Sequence, residues 1–428
     1  MTNLRTIADV ACTVCGCVCD DLAVTVDGDT IMKVTNACSL AEPWFPAQAA
    51  ARPPKAMING IEVTFDDAIQ KAAAILRDSK SPLIYGLSRS TTEGQRAATA
   101  LADKLGATID TTASTGHAPS IVALQQVGES TCTLGEVKNR ADLVIFWNSD
   151  PVTTHPRHFE RYSVDAVGRF TPNGRKDRYV VVVDTEETAT AKQADLFIQI
   201  DAQNNWETLW QLRLLVAGHT LRSEDSASRL TELAARMKAC KFGIVFFGAT
   251  ITKGAMAHRT VEALLQLVTD LNDHTRFYAR RMRRYGDVAG ADSVLTWQTG
   301  YPFGVNFAAG YPRYNPGEFT GPEMLARKEV DACLLIGSDA VADFPAEAIA
   351  QLKSIPVIRF DSPATVCDLP TAVTFTTAVY GIHRPGTAYR MDEVPIPLKV
   401  LVPTEYPSDA EVIEAISVAI SSSLSPAW

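Results

Sequence analysis

The chain has 428 residues, 46% of them hydrophobic and 21% charged, which excludes a disordered or collagen-like polypeptide and leaves room for two or three domains of roughly 100–200 residues each. Asp and Glu outnumber Lys and Arg by 49 to 40; the resulting net charge of −9 repels a phosphate backbone, so nucleic-acid binding is disfavoured. No uninterrupted apolar run reaches the ~18 residues of a membrane helix, and Met1–Asp9 lacks the basic start and long apolar core of a signal peptide, so a cytoplasmic protein is expected.

Five of the nine cysteines crowd into residues 12–38. An odd number so clustered, in a reducing compartment, points to a metal or redox site rather than a disulfide framework. Cys12-x2-Cys15-x3-Cys19, followed after 18 residues by Cys38, offers four thiolates. Such a set suits an iron–sulfur cluster or zinc, and the spacing leaves that choice open. Cys17 is a spare beside them. Leu22–Val26 and Ile31–Val34 flank Asp27-Gly28-Asp29 and predict a hairpin. Pro53-Pro54 closes a small metal-type β subdomain over residues 1–55.

Residues 66–78 and 91–105 carry helical periodicity, with Pro82–Gly86 between them as a buried strand entering a glycine turn. Strands then alternate with helices, the pattern of an open, mostly parallel sheet, and residues 409–422 predict a final amphipathic helix. The chain also repeats itself. Asp142–Asp150 matches Asp331–Asp339, each an apolar strand ending in Ser-Asp. Downstream come strands ending in Asp184-x3-Thr188 and Asp361-x3-Thr365, then third segments at Leu196–Ile200 and Val373–Phe375. Upstream lie Gly86 with helix 91–105, and Gly248 with helix 254–271. The expectation is therefore two related α/β (Rossmann-like) units. Residues 56–140 with 330–428 form one, discontinuous in sequence, and 141–329 form the other. Ligands of such sheets sit beyond the carboxyl ends of the strands, where Gly86, Ser149, Asp150, Asp184, Gly248, Ser338, Asp339 and Asp361 fall, so a cleft between the units is the default site.

Other candidates carry less chemistry. Thr154-His155-Pro156-Arg157-His158 could bind a metal or an anion, or form a polar loop of hydrogen-bonded imidazoles. His117 could act in acid–base work but has no partner nearby in sequence. Arg280-Arg281-Met282-Arg283-Arg284 is too short a basic run to bind nucleic acid. Cys132, Cys240, Cys333 and Cys367 are scattered, and Cys333 reads as a small core residue within a strand. No Ser–His–Asp set, paired carboxylates, Walker loop or dinucleotide fingerprint is present.

Several motifs together resemble the B subunit of formylmethanofuran dehydrogenase over nearly the whole chain. They are Cys12-Thr13-Val14-Cys15-Gly16-Cys17-Val18-Cys19-Asp20-Asp21-Leu22 with Asn36-Ala37-Cys38, then Gly135–Asp142, Trp147-Asn148-Ser149-Asp150-Pro151 and His155-Pro156-Arg157-His158, and later Trp297–Pro302 and Gly310–Phe319. The resemblance implies the fold of molybdopterin oxidoreductase domains I–III. In active members, a tungsten or molybdenum bis-pterin centre reduces carbon dioxide to formate, with electrons arriving through a [4Fe-4S] cluster. Cys12, Cys15, Cys19 and Cys38 would hold that cluster here.

Three departures bear on function. The family's metal-ligating cysteine precedes His-x-Pro-Ser; here Gly116 precedes His117, and glycine offers no donor. The family's pterin strand ends in Asp-x-Arg; here the run is Asp184-Thr185-Glu186, whose carboxylate repels phosphate. A later Gly-x-Asp turn is replaced by Gln203-Asn204-Asn205. The combination looks like the B subunit of the bacterial formyltransferase/hydrolase complex, the non-redox relative used in formaldehyde oxidation. That likeness implies a scaffold for an amidohydrolase-like A subunit, a formyltransferase and a C subunit, with a methanofuran-like carrier nearby. Tungstopterin and molybdopterin are then expected to be absent, and the pterin loops at Ser149, Asp150, Asp184, Glu186 and Asn205 vestigial. Gly116, His117 and Arg313 would mark the vestigial catalytic site. The four-cysteine site would hold [4Fe-4S] ahead of zinc. Two alternatives stand beside this: a true tungsten or molybdenum dehydrogenase subunit, and a carrier- or anion-binding module using His155, Arg157 and Arg313.

Overall fold

The computed structural model describes residues 4–221, 226–254 and 256–422. The chain divides at Thr115/Gly116 and Arg284/Tyr285, one unit joining both ends of the sequence and the other lying between. Core strands are numbered here in chain order: β1 Pro82–Gly86, β2 Thr108–Thr111, β3 Leu143–Trp147, β4 Tyr179–Asp184 and β5 Leu196–Gln199, then β6 Phe242–Phe247, β7 Arg276–Arg281, β8 Ala332–Ile336, β9 Val357–Asp361 and β10 Val373–Thr376.

The inner unit is a parallel sheet in the order β5-β4-β3-β6-β7. Its central strands are continuous apolar runs, Leu-Val-Ile-Phe-Trp and Phe-Gly-Ile-Val-Phe-Phe, buried at every position because helices cover both faces. Trp147, Val183, Val245 and Phe247 meet Leu209, Leu264 and Val268 from the helices Asn205–Val216 and Ala257–Leu271.

The outer unit carries a parallel core in the order β2-β1-β8-β9-β10. Antiparallel strands extend it: Val305–Asn306 and Arg313–Tyr314 beyond β2, and Ala56–Ile58 and Ile61–Glu62 beyond β10. Helix Phe65–Asp78 begins where the Thr64 side chain accepts the Asp67 N–H at 3.1 Å, and it buries Ala68, Ile69, Ala72, Ala73 and Leu76 on one stripe. Helix Thr92–Leu105 stops at Gly106, whose φ of 64° is left-handed.

The repeat is visible in topology. Strands β3, β4 and β5 take the places of β8, β9 and β10, while β6 and β7 take those of β1 and β2, the last pair entering the chain before its sheet in one unit and after it in the other. Asn148 (φ 45°) and Gly337 (φ 84°) make the same left-handed step after β3 and β8. The expected match of Gly86 to Gly248 is one residue out: Gly86 pairs with Ile336, whereas Phe247, not Gly248, pairs with Trp147. Both glycines are still needed for close approach, since a Cβ would lie 2.1 Å from Ile336 O at Gly86 and 2.1 Å from Asn148 O at Gly248.

The unit boundaries differ from the expected 140/141 and 329/330. Residues 285–329 join the outer unit because Val305–Asn306 pairs with β2 and helix Val288–Thr299 packs on Thr92–Leu105. Helix Ala118–Val127 joins the inner unit by packing on Ala257–Leu271. The N-terminal segment, expected as a separate subdomain over 1–55, has its own three-stranded sheet of Leu4–Val10, Leu22–Asp27 and Thr30–Thr35 but groups with the outer unit. No helix among the described residues is long and apolar enough to cross a membrane.

Candidate functional site

The cysteine loop joins Leu4–Val10 to Leu22–Asp27. Cys12 N donates to Cys19 O at 2.8 Å and Val18 N to Cys15 O at 3.1 Å, with Val18 at φ 36° reversing the chain. Cys12, Cys15, Cys17 and Cys19 are buried and Cys38 is half-buried. Burial, then the neighbouring Cys15, pushes the Cys12 thiol well above its ordinary range, with smaller repulsions from Cys19 and Cys38. Hydrogen bonds with Cys15 and Cys19, then burial, raise Cys17 likewise. The donor set therefore gathers soft thiols within electrostatic reach of one another. Among the described residues, however, no group of three or more His, Cys, Asp or Glu is placed to hold a metal ion. A single tetrahedral zinc would need its sulfurs within about 3.8 Å of each other, from Zn–S bonds of about 2.3 Å. The donor chemistry of the four thiols suits a soft metal or an iron–sulfur cluster alike, but their placement here forms a site for neither.

Sequence reasoning missed Arg89, which anchors this loop. Its Nη1 donates to Thr13 O at 2.9 Å and Val14 O at 3.0 Å, and its Nε to Asp339 Oδ2 at 2.9 Å, with the Tyr285 ring 5.4 Å away. The available signal was its place three residues past the end of β1. Arg89, Asp339, Asp361, Thr365 and Tyr380 line a cavity of about 260 Å³ at the carboxyl ends of β8–β10. Asp361 is spoken for: it accepts Ser338 N and Oγ, each at 2.9 Å, and pairs with Arg359 Nε at 2.8 Å. Burial nevertheless lifts its carboxyl above the usual range.

In the inner unit, Gly116 ends the short helix Ala113–Gly116, and its carbonyl accepts Thr252 Oγ1 at 2.8 Å. A Cβ there would meet no atom within 4 Å. His117, 5% exposed, precedes helix Ala118–Val127, and its Nδ1 has no partner. Burial, then Arg283 and Arg281, drives its pKa well below the normal histidine value, so it stays neutral.

The strand-end residues have structural work. Asp150 accepts Thr190 N at 2.9 Å, Thr190 Oγ1 at 2.5 Å and Thr153 Oγ1 at 2.6 Å. Ser149 is buried after β3. Asp184, raised by burial, accepts Thr185 N at 2.8 Å and lies 3.4 Å from Asn148 Nδ2. Asn205 accepts the Trp147 indole N–H at 2.6 Å and donates to Ala202 O at 2.9 Å. Glu186 is exposed.

The histidine loop forms no ligand pair. His155 bonds Arg283 O and Thr154 Oγ1, each at 2.8 Å. Arg157 pairs with Glu160 at 2.8 Å. His158 is fully buried against Phe146 and Phe246, and burial lowers its pKa to about 3. The basic run is no surface patch either: Arg280, Arg281 and Arg283 are buried, Arg281 against Glu129 at 2.9 Å and Arg280 on Cys132 O at 2.7 Å. In the outer unit Arg313 is half-exposed, 4.9 Å from the Phe319 ring and 3.9 Å from Glu318.

No family model matches the chain. It is 41% identical over 416 residues to the B subunit of the tungsten-containing formylmethanofuran dehydrogenase 2 of Methanocaldococcus jannaschii, covering 94% of this chain and 95% of that one. It is 26% identical over 287 residues to the B subunit of the formyltransferase/hydrolase complex Fhc of Methylorubrum extorquens, covering 66% and 74%. Among solved structures, the crystal structure of the formyltransferase/hydrolase complex FhcABCD from that organism, in complex with methylofuran, aligns with a TM-score of 0.71 at 24% identity, over 86% of this chain and 100% of that one. The acetylene hydratase of Pelobacter acetylenicus shares the fold with a TM-score of 0.69 at 12% identity, over 97% and 69%.

Proposed function

The chain belongs to the family of formylmethanofuran dehydrogenase B subunits, and we propose that it is a non-redox, degenerate dehydrogenase-like subunit of a carrier-linked one-carbon complex. In this reading it scaffolds, in the cytoplasm, the subunits that move a formyl group from tetrahydromethanopterin to a methanofuran-like carrier and release formate: an amidohydrolase-like A subunit, a formyltransferase and a C subunit.

Gly116 carries the reading. Neither backbone nor packing requires glycine there, since its φ is not left-handed and a Cβ would face open space. A thiol would fit, yet the position has no donor for a soft metal. Two further features support it. Glu186 puts an exposed carboxylate where a cofactor phosphate would need a cation. Asn205 is committed to Trp147. With no protein thiolate at residue 116, no tungsten or molybdenum step is assigned to this chain.

A [4Fe-4S] cluster held by Cys12, Cys15, Cys19 and Cys38 is part of the proposal. Bound there, it would add to folding free energy rather than carry a reaction. The test is the anaerobically purified complex, assayed for formyl transfer, formate release and viologen-linked formate oxidation. The first two without the third are expected; formate oxidation with stoichiometric tungsten would overturn the reading.

A second reading, a tungsten dehydrogenase subunit whose cofactor lacks the usual protein ligand, is favoured by the 41% identity to a relative named for that metal. The same assay separates the two. The carrier-binding alternative has lost two of its three candidate residues to internal bonds, His155 and Arg157.

A further inference from the structure

A cavity of about 820 Å³ lies wholly within the outer unit, beside the edge strands Ala56–Ile58 and Ile61–Glu62. Its volume is that of a small-molecule site, and it shares no lining residue with the cavity at the ends of β8–β10. Pro53, Pro54, Val63, Phe65 and Pro403 give it an apolar wall. His383 also lines it and is 5% exposed. Val379 N donates to His383 Nδ1 at 3.1 Å, which leaves the proton of the neutral ring on Nε2. Among the described residues nothing accepts that proton. A buried N–H without an acceptor costs free energy that a ligand oxygen would recover.

Charge selects the ligand. Burial, then Arg52 and Arg384, lowers the ring's pKa to about 4, so His383 is a neutral donor at pH 7 with guanidinium cations as its close charges. Arg52 lines the cavity too. Its Nη1 is anchored on the carbonyls of Ala49 and Ala51, while its Nη2 pairs with Asp29 at 3.0 Å, both side chains more than half exposed. So exposed a pair is weak, and Nη2 can exchange it for a ligand while the guanidinium stays in place. At the rim Lys55 is held by Glu405 at 3.1 Å, and Glu62 adds an exposed carboxylate. The acids Asp29, Glu62 and Glu405 oppose a dianion such as phosphate, which would also want more donors than His383 and Arg52 supply. A single planar carboxylate matches both. We propose that this cavity binds a small organic carboxylate, one oxygen on His383 Nε2–H and the other on Arg52, with its apolar body along Pro53, Pro54 and Phe65. The proposal needs no metal and is independent of the assignment based on Gly116.

The probe is benzoate, titrated calorimetrically at pH 7 into the full-length protein with whatever subunits accompany it. Benzyl alcohol, with the same body and no charge, and phenyl phosphate, a dianion, are titrated alongside. Saturable binding of one benzoate per chain is expected, with both comparison compounds about tenfold weaker or more. Two variants locate the site: Arg52→Gln, and His383→Phe, which keeps a ring without the N–H. Each should weaken benzoate about tenfold or more and leave benzyl alcohol unchanged. His383→Phe is scored only where thermal unfolding shows a folded chain; otherwise Arg52→Gln, at an exposed side chain, decides. The proposal is overturned if wild type shows no saturable benzoate binding, or if a folded variant binds benzoate as wild type does. Equal affinity for benzyl alcohol would reduce the cavity to an apolar pocket, and tighter binding of phenyl phosphate would make it a dianion site; either result also overturns it.

Discussion

Gly116, at the end of helix Ala113–Gly116, and Asn205, at the start of helix Asn205–Val216, place opposite demands on their side chains. At Gly116 the space is empty and the backbone ordinary. Gly116→Cys is therefore expected to change unfolding free energy by less than about 1 kcal/mol in urea titrations. At Asn205 the Oδ1 is the partner of a fully buried indole N–H at 2.6 Å. Asn205→Ala leaves that donor unsatisfied and should cost about 1–3 kcal/mol by the same measurement.

Among the elements, the strand ends show where glycine is indispensable. Gly86→Ala would push a Cβ to 2.1 Å from Ile336 O at a φ of 115°. Strain and overpacking together should cost about 3–5 kcal/mol. Gly28→Ala, at a hairpin turn with nothing within 4 Å and φ 60°, should cost about 1 kcal/mol. Urea titration of both variants checks the contrast. The strands themselves were legible because Tyr179–Val183 and Phe242–Phe247 are continuous apolar runs, which fit strands buried on both faces. The matching Ser-Asp ends revealed the repeat. The one-residue offset at Gly248 was not legible, since it depends on which residue of β6 faces Trp147. The unit boundaries were missed for a similar reason: the pairing of Val305 with Ile109 joins residues nearly two hundred apart. His158 resembled a ligand because its apolar wall, Phe146 and Phe246, comes from two paired strands about a hundred residues apart in sequence.

Over the whole molecule, burial sets opposing responses to pH. His158 has a folded pKa of about 3 against 6.5 unfolded, so the unfolded chain binds the extra proton. Its contribution is present above pH 6.5 and is lost as pH falls toward 3. His383, lowered to about 4, acts the same way. Asp110 has the opposite sign. Burial lifts its carboxyl to about 7, although Gly321 N at 2.7 Å and Gly304 N at 2.9 Å favour the charged form. The folded chain then holds the extra proton, and stability is lost as pH rises from about 4 to 7. Urea titrations across pH should show wild type losing stability relative to Asp110→Asn between pH 4 and 7 and no further above it; a flat difference would place Asp110 in a wetter site.

The claim that this family member has given up redox chemistry is tested most directly by metal analysis of the anaerobically purified complex from cells supplied with tungstate and molybdate. The account predicts iron at the cysteine loop and only trace tungsten and molybdenum; either heavy metal in stoichiometric amount with this chain would contradict it.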